Sequence, residues 1–129
     1  RYKEKKISKK IGFGDLYLND CIFCLISKGE VNSKKLFSND FCFVIEDIAP
    51  KAPLHLLIIP HKHILRLSDF EDVAIILGSM FDAAVNYAKD IGIADDGYRL
   101  VINQGENSGQ EVPHLHLHLL SGRKLLGMG

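Results

Sequence analysis

Three histidines take every second position in the run His114-Leu115-His116-Leu117-His118-Leu119-Leu120. Imidazole titrates at about pH 6.5, so near neutrality it serves as nucleophile, acid, base or metal ligand. A neutral ring nitrogen attacks phosphorus well, and the resulting phosphohistidine is readily hydrolysed. Alternation by two is the period of a β-strand. The three rings therefore share one face, and Leu115, Leu117 and Leu119 share the other. Strand rise spaces neighbouring rings by about 6.5 Å and the outer two by about 13 Å. Zinc–nitrogen bonds are only about 2.1 Å long, so one ion cannot collect all three rings from a regular strand. Either two adjacent rings serve one metal, or the row is divided among different tasks.

The remaining histidines, His55, His61 and His63, lie within nine residues of each other. A second group with metal chemistry is Cys21-Ile22-Phe23-Cys24, which has the spacing of half a zinc site. No second C-x-x-C follows, so histidine must complete such a site, with His63 and one member of the row as candidates. The competing reading is two buried thiols packed as small hydrophobes. The residue types leave both open. Ahead of the histidine row, Asn107-Ser108-Gly109-Gln110 offers backbone N–H groups in a turn where glycine allows close approach to phosphate oxygens.

These residues must be held by surrounding elements. Asp20 is placed to cap a short helix over 21–29 that stops at Gly29. Residues 34–37 and 41–47 read as strands around a Ser38-Asn39-Asp40 turn. Residues 54–60 form a strongly apolar strand with His55 as its one polar side chain. Ser68 and Glu71 form a capping box opening a long helix. That helix carries an apolar stripe, including Phe70, Val73, Ile76, Leu77, Met80, Phe81, Ala84, Tyr87, Ala88 and Ile91, at steps of three and four, and ends at Gly92. Residues 98–103 and 114–120 are two further strands, joined by a loop of ten residues. The expected architecture is α+β: an antiparallel sheet of about five strands with one long and one short helix.

At 129 residues and 47% hydrophobic the chain suits one domain with a real core. Net charge is zero, but residues 1–10 hold six Lys/Arg against one Glu. Residues 1–14 are read as a basic flexible tail and 15–129 as the domain. No charge-free run is long enough to cross a bilayer, and no specific nucleic-acid or membrane partner is expected. Three cysteines, two of them in C-x-x-C, suit thiols or a metal in a reducing compartment, so the cytoplasm is the expected location.

The chain resembles the histidine triad (HIT) family of nucleotide hydrolases and transferases. HLHLHLL matches its His-φ-His-φ-His-φ-φ pattern, with φ apolar, at every position. DCIFCLI, EDIAPKAPLHLLIIPHKHI and VINQGENSGQEVPHLHLHLLSGR fall in the family's order, from Asp20 to about Arg123. The segments around APLHLLIIPHKHI and GQEVPHLHLHLLSGR are most similar to the Hint branch, the purine nucleoside phosphoramidases. The resemblance implies His116 as nucleophile, with its other nitrogen held by a backbone carbonyl within the triad strand. It implies His118 at the phosphate and leaving group and His55 in the same relay. Asn103, Gly109 and the Gln110–Glu111 backbone would surround the phosphate. Asp47 would accept the ribose hydroxyls, and Ile22, Phe23, Ile26, Ile45, Ile48 and Leu57 would hold the base. Glu111 stands where some relatives carry a hydroxyl residue, so its charge must point away from phosphate. Metal-binding relatives imply a structural zinc on Cys21, Cys24, His63 and His114, with catalysis needing no metal. A purine nucleotide substrate of AMP or GMP type and a homodimer are further implications, with the long helix and a strand at the interface. Alternatives are a dinucleoside polyphosphate hydrolase, which needs cationic contacts beyond the α-phosphate such as Arg123 and Lys124, and a nucleotide-binding regulatory module. A metal-dependent hydrolase using an H-x-H pair is a further alternative.

Overall fold

In this computed structural model, residues 20–129 are described. The basic stretch over 1–14 lies outside them. The elements are α1 (Ile22–Ser27), β1 (Phe37–Ser38), β2 (Cys42–Glu46), β3 (Leu54–Pro60), α2 (Val73–Asp90), β4 (Arg99–Ile102) and β5 (Leu117–Ser121). The strands form one antiparallel sheet in the order β1-β2-β3-β5-β4. This is the α+β arrangement that the sequence patterns predict.

Strand register sorts the side chains onto two faces. Paired residues on neighbouring strands point the same way, and the direction alternates along each strand. One face carries Leu56, Leu119 and Leu100 in one row, then Val44, Ile58, Leu117 and Ile102 in the next, with Cys42 beyond them. The stripe of α2 packs on it through Ile76, Leu77, Met80, Ala84, Tyr87 and Ala88. Full burial of each large apolar side chain here stabilises the fold by about 1.5–3 kcal/mol. The opposite face carries Ile45, Leu57, His118 and Val101, and beside them Asp47, His55, Leu120 and Arg99. Its apolar end, with Phe43, Ile45, Leu57 and Ile59, is covered by Cys21, Phe23, Cys24 and Ile26 from α1 and the residue before it.

Four boundaries differ from expectation, the first being β1, which is Phe37–Ser38 rather than 34–37 and takes in a residue expected in the turn. The residue capping α1 is Cys21, not Asp20, and it makes no side-chain capping bond. The Ser68–Glu71 box does not open the long helix. Leu67–Asp69 is a 3-10 turn, Phe70 is extended, and α2 begins at Val73 after Asp72. Phe70 packs against the core, and the extended backbone that delivers it interrupts the helix. Finally, ladder pairing in the histidine run starts only at Leu117. Before that, His114 N–H donates to the Val112 carbonyl and Leu115 N–H to the Ile64 carbonyl, so this half of the run is bonded outside the sheet. The alternation survives nonetheless, because Leu115 joins Leu117 and Leu119 in the core under α2.

Gly122 closes β5 with φ +103°, and a Cβ there would lie 2.7 Å from Pro53 Cβ and 3.3 Å from the Leu54 amide nitrogen. The β5 end therefore docks on the start of β3 only because no side chain intervenes. Gly122→Ala is expected to lower unfolding stability by about 1–3 kcal/mol in urea titration. Gly127→Ala, with no atom within 4 Å of its added Cβ, is the control expected to change little. Equal midpoints for both variants would contradict this account of the turn.

Candidate active site

The register places His118 on β5 opposite Val101 on β4 and Leu57 on β3. His55 is one step further along β3, opposite Leu120. His116 precedes β5, and its ring centroid is 4.9 Å from that of His118. All three border a cleft of about 270 Å³, together with Asn103 and Gly109. Lys51, Arg99 and Glu111 border it too, with Val101 and Leu120 as its apolar lining.

The hydrogen bonds fix which ring nitrogen carries a proton. A carbonyl can only accept and a backbone amide can only donate. His116 bonds through Nδ1 to the His114 carbonyl at 2.7 Å, so Nδ1 is protonated and Nε2 keeps its lone pair. The Lys51 backbone N–H donates to His55 Nδ1 at 3.0 Å, so His55 is neutral and protonated on Nε2. His55 Nε2–H in turn donates to His118 Nδ1 at 2.8 Å, which leaves His118 protonated on Nε2. The row thus holds a nucleophile-ready lone pair on His116 next to a fixed N–H donor on His118. Phe23, fully buried, touches the His116 ring edge-on at 5.2 Å and the His114 ring at 5.6 Å, and so restricts their rotation.

Asp47 sits beside this relay. Its carboxylate is buried, accepts the Ala49 N–H at 2.8 Å and lies 3.4 Å from His55 Nε2. It does not line the cleft.

The first histidine of the row faces away from that chemistry. His114 Nε2–H donates to the Pro60 carbonyl at 2.9 Å, so its Nδ1 is a lone pair. That Nδ1 lies 3.2 Å from Cys21 Sγ, 3.6 Å from Cys24 Sγ and 3.1 Å from His63 Nδ1. Cys24 Sγ is 3.2 Å from His63 Nδ1. All four donor atoms lie within 4.8 Å of one another. A tetrahedral ion with ordinary zinc bond lengths would space sulfur from nitrogen by roughly 3.6 Å and nitrogen from nitrogen by roughly 3.4 Å. The observed spacings are close to those values, so these four residues form a group able to hold a metal ion. Their electrostatics suit one as well. The hydrogen bond from Cys24 is the main influence holding Cys21 well below the ordinary thiol range, with burial opposing. The same contact, together with burial, pushes Cys24 upward.

The other residues singled out in the sequence divide clearly. Phe23, Ile26, Ile45 and Leu57 come together in one buried cluster with Ile22 packed against it. Ile48 stands apart from that cluster and is 68% exposed. The loop before the row offers less backbone than expected. The amides of Gly109 and Gln110 bond back to the Glu106 and Gly105 carbonyls. The Gln110 side chain ties the Gly105 amide to the Val112 carbonyl. Lys51 and Arg99 were not anticipated. Arg99 shares the two-residue alternation of Val101 and Asn103 in the sequence, which was the available signal. Arg123, expected near any second phosphate, reaches the Lys51 carbonyl with Nη2 at 3.4 Å.

The fold and site together define a class: an antiparallel sheet that holds a divided histidine row, one end in a thiol–imidazole group and the other in an open cleft. Residues 28–125 match the HIT domain family, and the chain belongs to it. It is 41% identical over 107 residues to the purine nucleoside phosphoramidase of Escherichia coli K12, covering 82% of this chain and 90% of that protein. A histidine triad protein structure from Clostridium difficile superposes with a TM-score of 0.81 at 38% identity, covering 85% of this chain and 96% of the other. A zinc-bound histidine triad family protein from Mycobacterium smegmatis gives a TM-score of 0.70 at 28% identity, covering 83% and 78%.

The tautomers are directly measurable. Nitrogen-15 correlation spectra at pH 7.5 or above should report His116 as the Nδ1–H form and His55, His114 and His118 as Nε2–H forms. An Nε2–H signal for His116 would contradict the tautomer that its bond to the His114 carbonyl requires.

Proposed function

We propose that this chain is a nucleotide hydrolase that cleaves the P–N bond of purine nucleoside 5′-phosphoramidates through a nucleotidyl-histidine intermediate. The observation that carries the reading is the 2.7 Å bond from His116 Nδ1–H to the His114 carbonyl, which leaves Nε2 as a lone pair at the cleft. Similarity to the E. coli phosphoramidase over most of both chains supports the same substrate class.

In this reading His116 Nε2 forms a bond to the α-phosphorus as the P–N bond breaks. The bonding pair stays with nitrogen, which departs as the amine after taking one proton. His118 Nε2–H is the donor facing that group, oriented through His55 and the Lys51 amide. Water then displaces His116 from phosphorus, restores the proton and releases the nucleoside monophosphate. Asn103 and Gly109 border the phosphate. The base would meet the cluster of Ile22, Phe23, Ile26, Ile45 and Leu57 with Ile48 at its exposed rim, and Asp47 would accept the ribose hydroxyls.

Zinc fits the second group. Cys21, Cys24, His63 and His114 would hold it, and the tautomer of His114, set by the Pro60 carbonyl, aims a lone pair at the ion. With four protein ligands its chemistry would be structural, fixing α1 to the row. A homodimer is part of the same reading. In support, β4 is an edge strand and α2 leaves Ile75 and Val85 exposed. The three cysteines are all free and buried, which suits a reducing cytoplasm.

Adenosine 5′-phosphoramidate should release AMP with the purified chain. His116→Ala should lower kcat on the order of 10³-fold or more, as loss of a nucleophile does elsewhere. A well-folded variant that retains more than a tenth of the activity would contradict the covalent route. Elemental analysis should separately find one zinc per chain, lost in the double variant Cys21→Ala and Cys24→Ala with a lower melting temperature. Metal-free wild type with an unchanged melting temperature would sink the structural zinc.

A further inference from the structure

The cleft carries more positive charge than an uncharged leaving group requires. Lys51 and Arg99 both border it, with Glu111 as the opposing charge. Their position relative to the row is what gives them meaning. Arg99 pairs with Leu120 on the sheet, one two-residue step from the pair Val101 and His118, and the same face carries all of them. A diagonal neighbour across antiparallel strands lies about 7–8 Å away at the backbone, within reach of an arginine side chain. Lys51 is tied to the same end, since its amide holds His55 and its carbonyl receives the Arg123 guanidinium. Arg99 Nη2 is itself anchored on the Leu126 carbonyl at 3.1 Å. The cations therefore gather on the side of His118 away from His116. An in-line displacement at phosphorus sends the leaving group away from the attacking nitrogen, toward that side.

We infer that Lys51 and Arg99 form a subsite for an anionic leaving group, so that the chain prefers phosphoramidates whose amine carries a negative charge next to the nitrogen. This rests on the phosphoramidase reading above and assigns the part of the substrate which that reading leaves open. A carboxylate on the amine, as in an amino acid joined through its nitrogen, and a terminal phosphate on the leaving group share the required chemistry. The two residues determine specificity and leave the chemical step to the histidines.

The test compares kcat/KM of the full chain for three substrates. These are adenosine 5′-phosphoramidates of alanine and of alaninamide, joined through the α-nitrogen, and diadenosine triphosphate. The alanine compound should be favoured over the alaninamide compound by about fivefold at low salt, the scale of an exposed ion pair. The advantage should shrink in 0.5 M NaCl, where screening acts within about 5 Å. Lys51→Gln and Arg99→Gln should each reduce the ratio, and Arg99→Lys should restore part of it. The alaninamide compound is the internal control, because a damaged fold lowers both rates together. A cation-dependent advantage for diadenosine triphosphate alone would assign the subsite to phosphate. Equal rates for the charged and neutral phosphoramidates with no cation-dependent turnover of diadenosine triphosphate, or rates unmoved by both glutamine variants, would overturn the subsite and leave the phosphoramidase reading standing. No turnover of either phosphoramidate would overturn both.

Discussion

The site depends on the backbone of one residue. His114 gives its carbonyl to His116 Nδ1–H and its side chain to the thiol–imidazole group. The carbonyl sets the tautomer of the His116 ring, and the side chain fixes where that carbonyl stands. Phe23, between the two rings, couples the same pair from the helix side. An imidazole with both nitrogens open would divide its time between tautomers and orientations. Here the His116 lone pair is set by the fold itself, and a group fixed in advance needs no reorganisation when it is used.

That arrangement requires the histidine run to do two things that a regular strand cannot do together. The sheet needs Leu117 and Leu119 locked in register to bury them under α2. The group containing Cys21 and Cys24 needs His114 bonded toward Pro60 and α1. The chain resolves this by ending ladder pairing at Leu117 and bonding Leu115 to Ile64 instead. Core burial anchors one half of the run, and polar contacts set the other.

This division also marks what was legible in the sequence. The alternation of leucine and histidine gave the two faces, because period two is a local property. Bond lengths showed only that one ion could not collect all three rings; that His114 is the member set apart from His116 and His118 came from the resemblance to the family. The start of α2 was misread because the Ser68–Glu71 pattern is local, while the need to deliver Phe70 to the core is not. The turn before the row is visible in sequence, but the partners of its backbone are not: in the fold the Gly109 and Gln110 amides bond to the Glu106 and Gly105 carbonyls of the same turn. Arg99 needed the register of β4 on β5 to reach the cleft, and Lys51 needed its bond to His55. Spacing offered only the alternation of Arg99 with Val101 and Asn103, and nothing for Lys51.

Proton placement explains why two similar groups of ligand-type residues have different roles. Asp47, His55 and His118 bring an oxygen and two nitrogens as close together as the Cys/His group does. A metal binds imidazole through a nitrogen that carries no proton. In His114 the Pro60 carbonyl holds the proton on Nε2 and leaves Nδ1 open toward the thiols. In His55 the Lys51 amide occupies the Nδ1 lone pair, so the proton must stay on Nε2, the atom facing His118 and Asp47. A metal there would drive that proton to Nδ1 against an amide N–H, leaving two donors facing each other at a cost of about 1–3 kcal/mol for the lost bond. One backbone acceptor and one backbone donor, each beside a histidine, therefore separate a group able to hold metal from a relay that keeps its proton.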